Sequence, residues 1–218
     1  MLGGMLDGIV AHFLLANPKS SAQMPQAPRA VPNGRGPDQR ALADLQERIA
    51  HILEKHRIAG GSVAIADRGE IVFHHGFGMA DVVARRPVAS ETLFSLASAG
   101  DLVRFAAAVA GSGARRPLLN PQVTAEMFAV PPTREAKRQN GSHFGLGWDS
   151  VWSYAGGRYR FSKNGFKPGV QSWLEHLESD VDWAVLLNAD SPEKEEPKPI
   201  EEIRKLVVTN QFGWRRWN

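Results

Sequence analysis

The chain has 218 residues, 43% of them hydrophobic and 22% charged, with a formal net charge of +3 and no cysteine. These fractions are ordinary for a globular protein and suffice for one domain, or one domain with a tail. The lack of cysteine excludes disulfides, thiolate catalysis and cysteine-bound zinc, so any nucleophile is an oxygen or an amine. The arginines are spread in pairs such as Arg85-Arg86, Arg115-Arg116 and Arg215-Arg216, and so form no basic stripe and point to no nucleic-acid partner.

The first 37 residues fall into two parts. An apolar run over 9–16 precedes Ser20-Ser21-Ala22, small residues of the kind found at signal-peptidase sites. Against that, no Lys or Arg precedes Lys19, and Asp7 and His12 interrupt the apolar region. Two readings stand side by side: a degenerate export signal, which would deliver the protein to the periplasm or outside the cell, or a plain disordered tail. The compartment is therefore left open. Residues 23–37, with Pro25, Pro28, Pro32, Gly34, Gly36 and Pro37, read as a linker with too little apolar surface to offset its ordering entropy. No run reaches the roughly 20 apolar residues of a membrane-spanning helix, and none is expected. The folded domain is expected over 38–218.

Asp38 is a good helix cap after Pro37, and Leu42, Leu45, Ile49, Ile52 and Leu53 follow at helical spacing to about residue 57. Residues 61–66 and 71–77, joined by Arg68-Gly69, read as a β-hairpin. Ser98-Ala99-Gly100-Asp101 then leads into Leu102, Phe105, Ala106 and Val109 at helical spacing, stopped by Gly111. Asn120 and Pro121 start another short helix. Strand character returns at 144–148, 159–162, 170–177 and 181–187, the last two joined by Glu178-Ser179-Asp180. A closing helix is expected over 193–209, with Ile200, Ile203, Leu206 and Val207 on its apolar face. The whole predicts an α+β fold: an antiparallel sheet of about five strands with the N- and C-terminal helices packed on one face.

Three stretches carry a resemblance. The first runs from Ile58-Ala59-Gly60-Gly61-Ser62-Val63-Ala64 through Gly76-Phe77-Gly78 to Phe94-Ser95-Leu96-Ala97-Ser98. The second includes Ser98-Ala99-Gly100-Asp101 and Phe144-Gly145-Leu146-Gly147-Trp148. The third is Lys163-Asn164-Gly165, followed by Pro168-Gly169 and Leu187-Asn188-Ala189-Asp190. In order and spacing they resemble the class C type of the serine β-lactamase and penicillin-binding-protein hydrolases, a family that includes esterases and peptidases. The resemblance implies Ser98 as nucleophile, with Lys163, Asn164, Gly165 and Phe166 shaping the substrate site; Lys163 would bind a substrate carboxylate there, its other reading being a solvated strand lysine. The backbone N–H groups of Ser98 and Phe166 would form the oxyanion hole. Small-molecule esters or amides would be the substrates, and no cofactor or metal is implied.

The departures bear on activity. The family's nucleophile begins Ser-x-x-Lys, which sets a lysine one helical turn on to take the hydroxyl proton. Here that position is Asp101, and Ser-x-x-Asp reads equally as a capping box. The family's Tyr-x-Asn motif has no counterpart, and the chain steps from the first stretch into the second as though the helical subdomain were missing. Two functions stay open: a weak or inactive β-lactamase-related serine hydrolase, or a non-catalytic remnant that self-associates or binds a peptide or wall fragment. Loss of that subdomain predicts an exposed apolar face, an open edge at the strand bearing Lys163, and self-association. His74 and His75 should point to opposite sheet faces; these, with His51, His56, His143 and His176, read as ordinary polar residues.

Overall fold

A computed structural model describes residues 38–95, 98–113, 117–133, 138–189 and 198–214, with side chains to residue 209 in the last segment. All lie in one compact unit, Asn33–Asn218. The leader and linker expectations fall outside the described residues.

Helix α1 (Gln39–Lys55) starts where Asp38 Oδ1 accepts from the Arg40 and Ala41 backbone N–H groups, at 2.9 and 3.4 Å. Its stripe of Leu42, Leu45, Ile49, Ile52 and Leu53 is buried as the spacing requires. Each such side chain contributes about 1.5–3 kcal/mol relative to exposure. Strands β1 (Gly60–Asp67) and β2 (Glu70–Asp81) form the expected hairpin, and both turn residues have positive φ, Arg68 at 48° and Gly69 at 80°. That is the backbone a right-twisted two-residue turn needs.

The sheet is antiparallel but has eight strands, in the order β3-β2-β1-β8-β7-β6-β5-β4. The expected number was about five. The extra strands are short: β3 (Arg86–Pro87), and a hairpin of β4 (His143–Gly145) and β5 (Trp148–Ser153) where one strand over 144–148 was expected. Gly147, at φ 84°, turns the chain inside that run. Strand β6 (Tyr159–Lys167) continues past the predicted 159–162 and carries Lys163 to Phe166 within it; β7 (Val170–Leu177) and β8 (Val181–Leu187) complete the sheet.

Period-two alternation separates the faces. Val63 and Ile65 of β1, with Trp183, Val185 and Leu187 of β8, pack under α1 and α4 (Lys198–Trp214), whose Ile200, Ile203 and Val207 join the same core. The first and last described helices thus share one face, tied by Lys55 and His56 to Glu202. The expected start of the last helix, near Glu193, lies outside the described residues. On the other face Ala64, Ala66 and Ala184 keep the sheet surface low, and α2 (Ala99–Ala110) lies against it through Ala99, Val103 and Ala106. Helix α3 (Pro121–Phe128) adds Phe128, whose ring centroid is 4.9 Å from that of Phe161.

Candidate functional site

The strand bearing Lys163-Asn164-Gly165 is interior along its first half, between β5 and β7, and has an open side along the half that carries these three residues. Its pairing with β5 ends at Ser150↔Ser162, whereas its pairing with β7 runs on to Lys167↔Val170. Beyond Ser162 the outer side of β6 has no strand beside it. Asp149 partly covers this stretch: Oδ1 accepts from Lys163 Nζ at 2.7 Å and Oδ2 from the Asn164 backbone N–H at 2.8 Å. The ammonium expected to hold a substrate carboxylate therefore already holds a carboxylate of this chain.

On the α2 face, Lys163, Asn164 and Gly165 line a cavity of about 420 Å³. Leu102 and Phe105 of α2, Met127 of α3 and Leu146 form much of its remaining wall, so the surroundings are apolar. The rings of Phe105 and Trp148 stack with centroids 6.3 Å apart. Phe105 is 47% exposed and Leu146 66% exposed, so the mouth is apolar as well. A concave apolar surface with few polar groups suits an acyl chain or an apolar peptide side chain.

Ser98 is placed differently. It is the N-cap of α2 and buried; its Oγ accepts from the Asp101 N–H at 3.2 Å and donates to Asp101 Oδ2 at 2.8 Å. Asp101 is held in turn by Arg104 at 3.4 Å. Lys163, Asn164 and Gly165 meet at the cavity; Ser98 and Phe166 are not among its lining residues. Phe166 is 44% exposed beside it.

Histidines read as ordinary polar residues include two that are buried. His143 Nε2 pairs with the Phe128 carbonyl at 2.9 Å, and His176 Nδ1 with Asp182 Oδ1 at 2.9 Å. His74 and His75 do face opposite ways. His75 sits edge-on to Phe77, whereas the His74 ring lies where a Cβ on Gly100 would stand, 2.8 Å from Cε1. Burial lowers the His74 pKa from its ordinary value, against the opposing pull of Glu91. Asp149 and Glu175 were not singled out by sequence reasoning. Among the described residues, no group of three or more His, Asp or Glu is placed to hold a metal ion, and no helix is long and apolar enough to cross a membrane.

Residues 45–100 match the Beta-lactamase family model. Over 54 residues the chain is 41% identical to Penicillin-binding protein 4* of Bacillus subtilis (strain 168), a match covering 25% of this chain and 12% of that protein. Among solved structures, SurE with D-Leu superposes with a TM-score of 0.57 at 11% identity, over 83% of this chain and 78% of that one. The octameric penicillin-binding protein homologue from Pyrococcus abyssi gives 0.49 at 10% identity, over 78% and 77%. A class C beta lactamase from Rhodobacter sphaeroides gives 0.47 at 11% identity, over 79% and 99%. At such identities the likeness to SurE is one of fold alone.

Proposed function

For a chain related to the serine β-lactamases and penicillin-binding proteins, and thereby to serine hydrolase function, we propose a binding role with little or no acyl transfer. It keeps the sheet groove of the hydrolase and takes an apolar acyl or peptide segment there. The observation that carries this reading is the Ser98 hydroxyl, which donates its hydrogen bond to Asp101 Oδ2 at 2.8 Å and so faces a carboxylate where the family has a lysine. An attacking serine must give its proton to a base as it bonds to carbon. A carboxylate is a weaker base than the amine the family sets there and a poorer acceptor for that proton, and general-base help is typically worth about 10²–10⁴-fold. Lys163 is bound to Asp149 rather than aimed at the serine.

The groove supports the binding half. Its wall is mostly apolar, and the outer side of β6 beyond Ser162 has no strand beside it. An extended peptide pairing there would use main-chain hydrogen bonds for affinity and the cavity for one side chain. The exposed Phe105, Leu146 and Phe166 also favour the second expectation, self-association through this face.

Intact mass after incubation with a fluorophosphonate, and separately with penicillin, tests the catalytic half; no adduct is expected. Quenching of tryptophan fluorescence by an N-acylated hydrophobic peptide tests the binding half, through Trp148 at the groove. Stoichiometric labelling of Ser98 overturns the first half, and quenching that is unchanged in Leu146→Asp overturns the second.

A further inference from the structure

The opposite sheet face holds a second cavity, of about 380 Å³, with a wall unlike the first: Arg138, Arg160 and Arg204 come together there with Trp152 and Trp173. Its base is Glu175, fully buried in the middle of β7. A carboxylate so placed is costly unless charge and hydrogen bonds compensate it. Here the compensation is more than complete. Arg160 donates from Nε and Nη2 to Oε1 at 2.9 and 2.7 Å. Arg204 donates from Nε to Oε2 at 2.9 Å and from Nη2 to Oε1 at 3.2 Å. The indoles of Trp183 and Trp173 add bonds to Oε2 at 3.0 and 3.4 Å. The carboxylate accepts more bonds than its roughly four lone-pair directions provide. Burial still pushes the Glu175 carboxyl above its ordinary value, and the Arg160 guanidinium and the two indoles oppose that.

One guanidinium suffices to neutralise one carboxylate, and this site has two. A third, Arg138, reaches the cavity from the residues before β4, with a long 3.4 Å contact to Ser150 Oγ and its guanidinium over the Phe144 ring. The other acids of the wall, Asp149 and Glu201, are each paired with a lysine, Lys163 and Lys205. Three guanidiniums therefore face one carboxylate, Glu175, the wall acid that no lysine shares. The Glu175 bonds use Nε and Nη2 of both Arg160 and Arg204, so Nη1 of each stands outside that network. The Arg160 guanidinium lies 4.6 Å over the Trp152 ring, which fixes its plane beside an apolar wall.

The geometry points to a binding site for a small phosphate monoester on this face, separate from the apolar groove. The surplus of two positive charges matches a phosphate, at about −1.5 to −2 near neutral pH, better than a single carboxylate. Arginines arriving from three elements suit a tetrahedral group, and Trp152 and Trp173 offer stacking surface to the organic part.

Calorimetric titration with phenyl phosphate, and with benzoate as a monoanion bearing the same ring, tests this. Phenyl phosphate is expected to bind at least tenfold tighter, and more weakly as salt is raised. Arg138→Gln removes the one guanidinium that does not touch Glu175, so the buried network and the fold are left intact. It should weaken phenyl phosphate about tenfold or more, whereas Lys167→Gln, outside the cavity, should change little. Equal affinity for the two ligands, or binding indifferent to Arg138→Gln in a variant whose melting is unchanged, overturns the proposal.

Discussion

Asp149 and Lys163 are bound to one another at 2.7 Å, and the second oxygen of the same carboxylate holds the backbone N–H of the next strand residue. A hydrogen-bonded carboxylate thus sits where the resemblance implies a substrate carboxylate. The Lys163 side chain is half exposed, so the ion pair itself is worth no more than about 1 kcal/mol after solvent screening. Its effect is on charge at the groove more than on stability.

Replacing this acid should therefore change what binds. Asp149→Asn is expected to raise affinity for a peptide ending in a free carboxylate about tenfold over its amide, with stability nearly unchanged. Fluorescence titration of the acid and amide forms reads the difference. An unaltered preference would mean that Lys163 does not reach the ligand.

Ser98 is expected to matter to the helix and not to turnover. Ser98→Ala removes the cap and should cost about 1 kcal/mol in urea denaturation. Hydrolysis of a chromogenic cephalosporin or a short-chain nitrophenyl ester should stay at background in both proteins. Measurable turnover that vanishes in the alanine variant would restore the serine as a nucleophile.

His74 makes stability depend on pH. Burial is the largest influence on it and lowers its pKa below the ordinary 6.5. The unfolded chain then takes up the proton first as pH falls. The stability is fully present above 6.5 and declines on acidification until the folded-state pKa is passed. Nε2 of this ring has no hydrogen-bond partner, so no acceptor holds a proton there. His74→Gln should remove this dependence, so the difference in melting temperature between wild type and variant should shift between pH 7.5 and 5.5. Parallel melting curves at the two pH values would count against it.

Self-association is expected to run through the apolar groove. Light scattering coupled to size exclusion at micromolar concentration should show a species heavier than 23.9 kDa. Leu146→Glu, at a 66% exposed position, should return it to the monomer without loss of melting temperature. A wild-type monomer that binds no hydrophobic dye would refute this assembly.

What could be read from the sequence was local. Helix α1 was legible because Asp38 caps a run with a clear apolar period, and the first hairpin because Arg68-Gly69 interrupts two β-branched runs. The capping box at Ser98 is likewise a relation between residues three apart. The β4–β5 hairpin was not legible, since Gly147 is the one mark of its turn inside a short run that alternates like a single strand. Asp149 and Glu175 escaped notice for a different reason. Asp149 acts on Lys163 fourteen residues on, and Glu175 gathers arginines 15 and 29 residues away. A lone acid in an alternating strand reads as solvent-facing until the sheet brings its partners across.

The pairing of β1 with β8, which sets Gly61 opposite Leu187, joins the first hairpin to the rest of the sheet. During synthesis the first hairpin must therefore wait, with α1 alone to cover Val63 and Ile65, until most of the described chain has been made. Closing so long a loop is slow compared with the hairpins on either side. In the interval the free side of β1 offers unpaired N–H and C=O groups to any neighbouring nascent chain. The long-range strand pair that unites the two parts of the finished sheet is thus also the point at which its assembly is most exposed to misjoining.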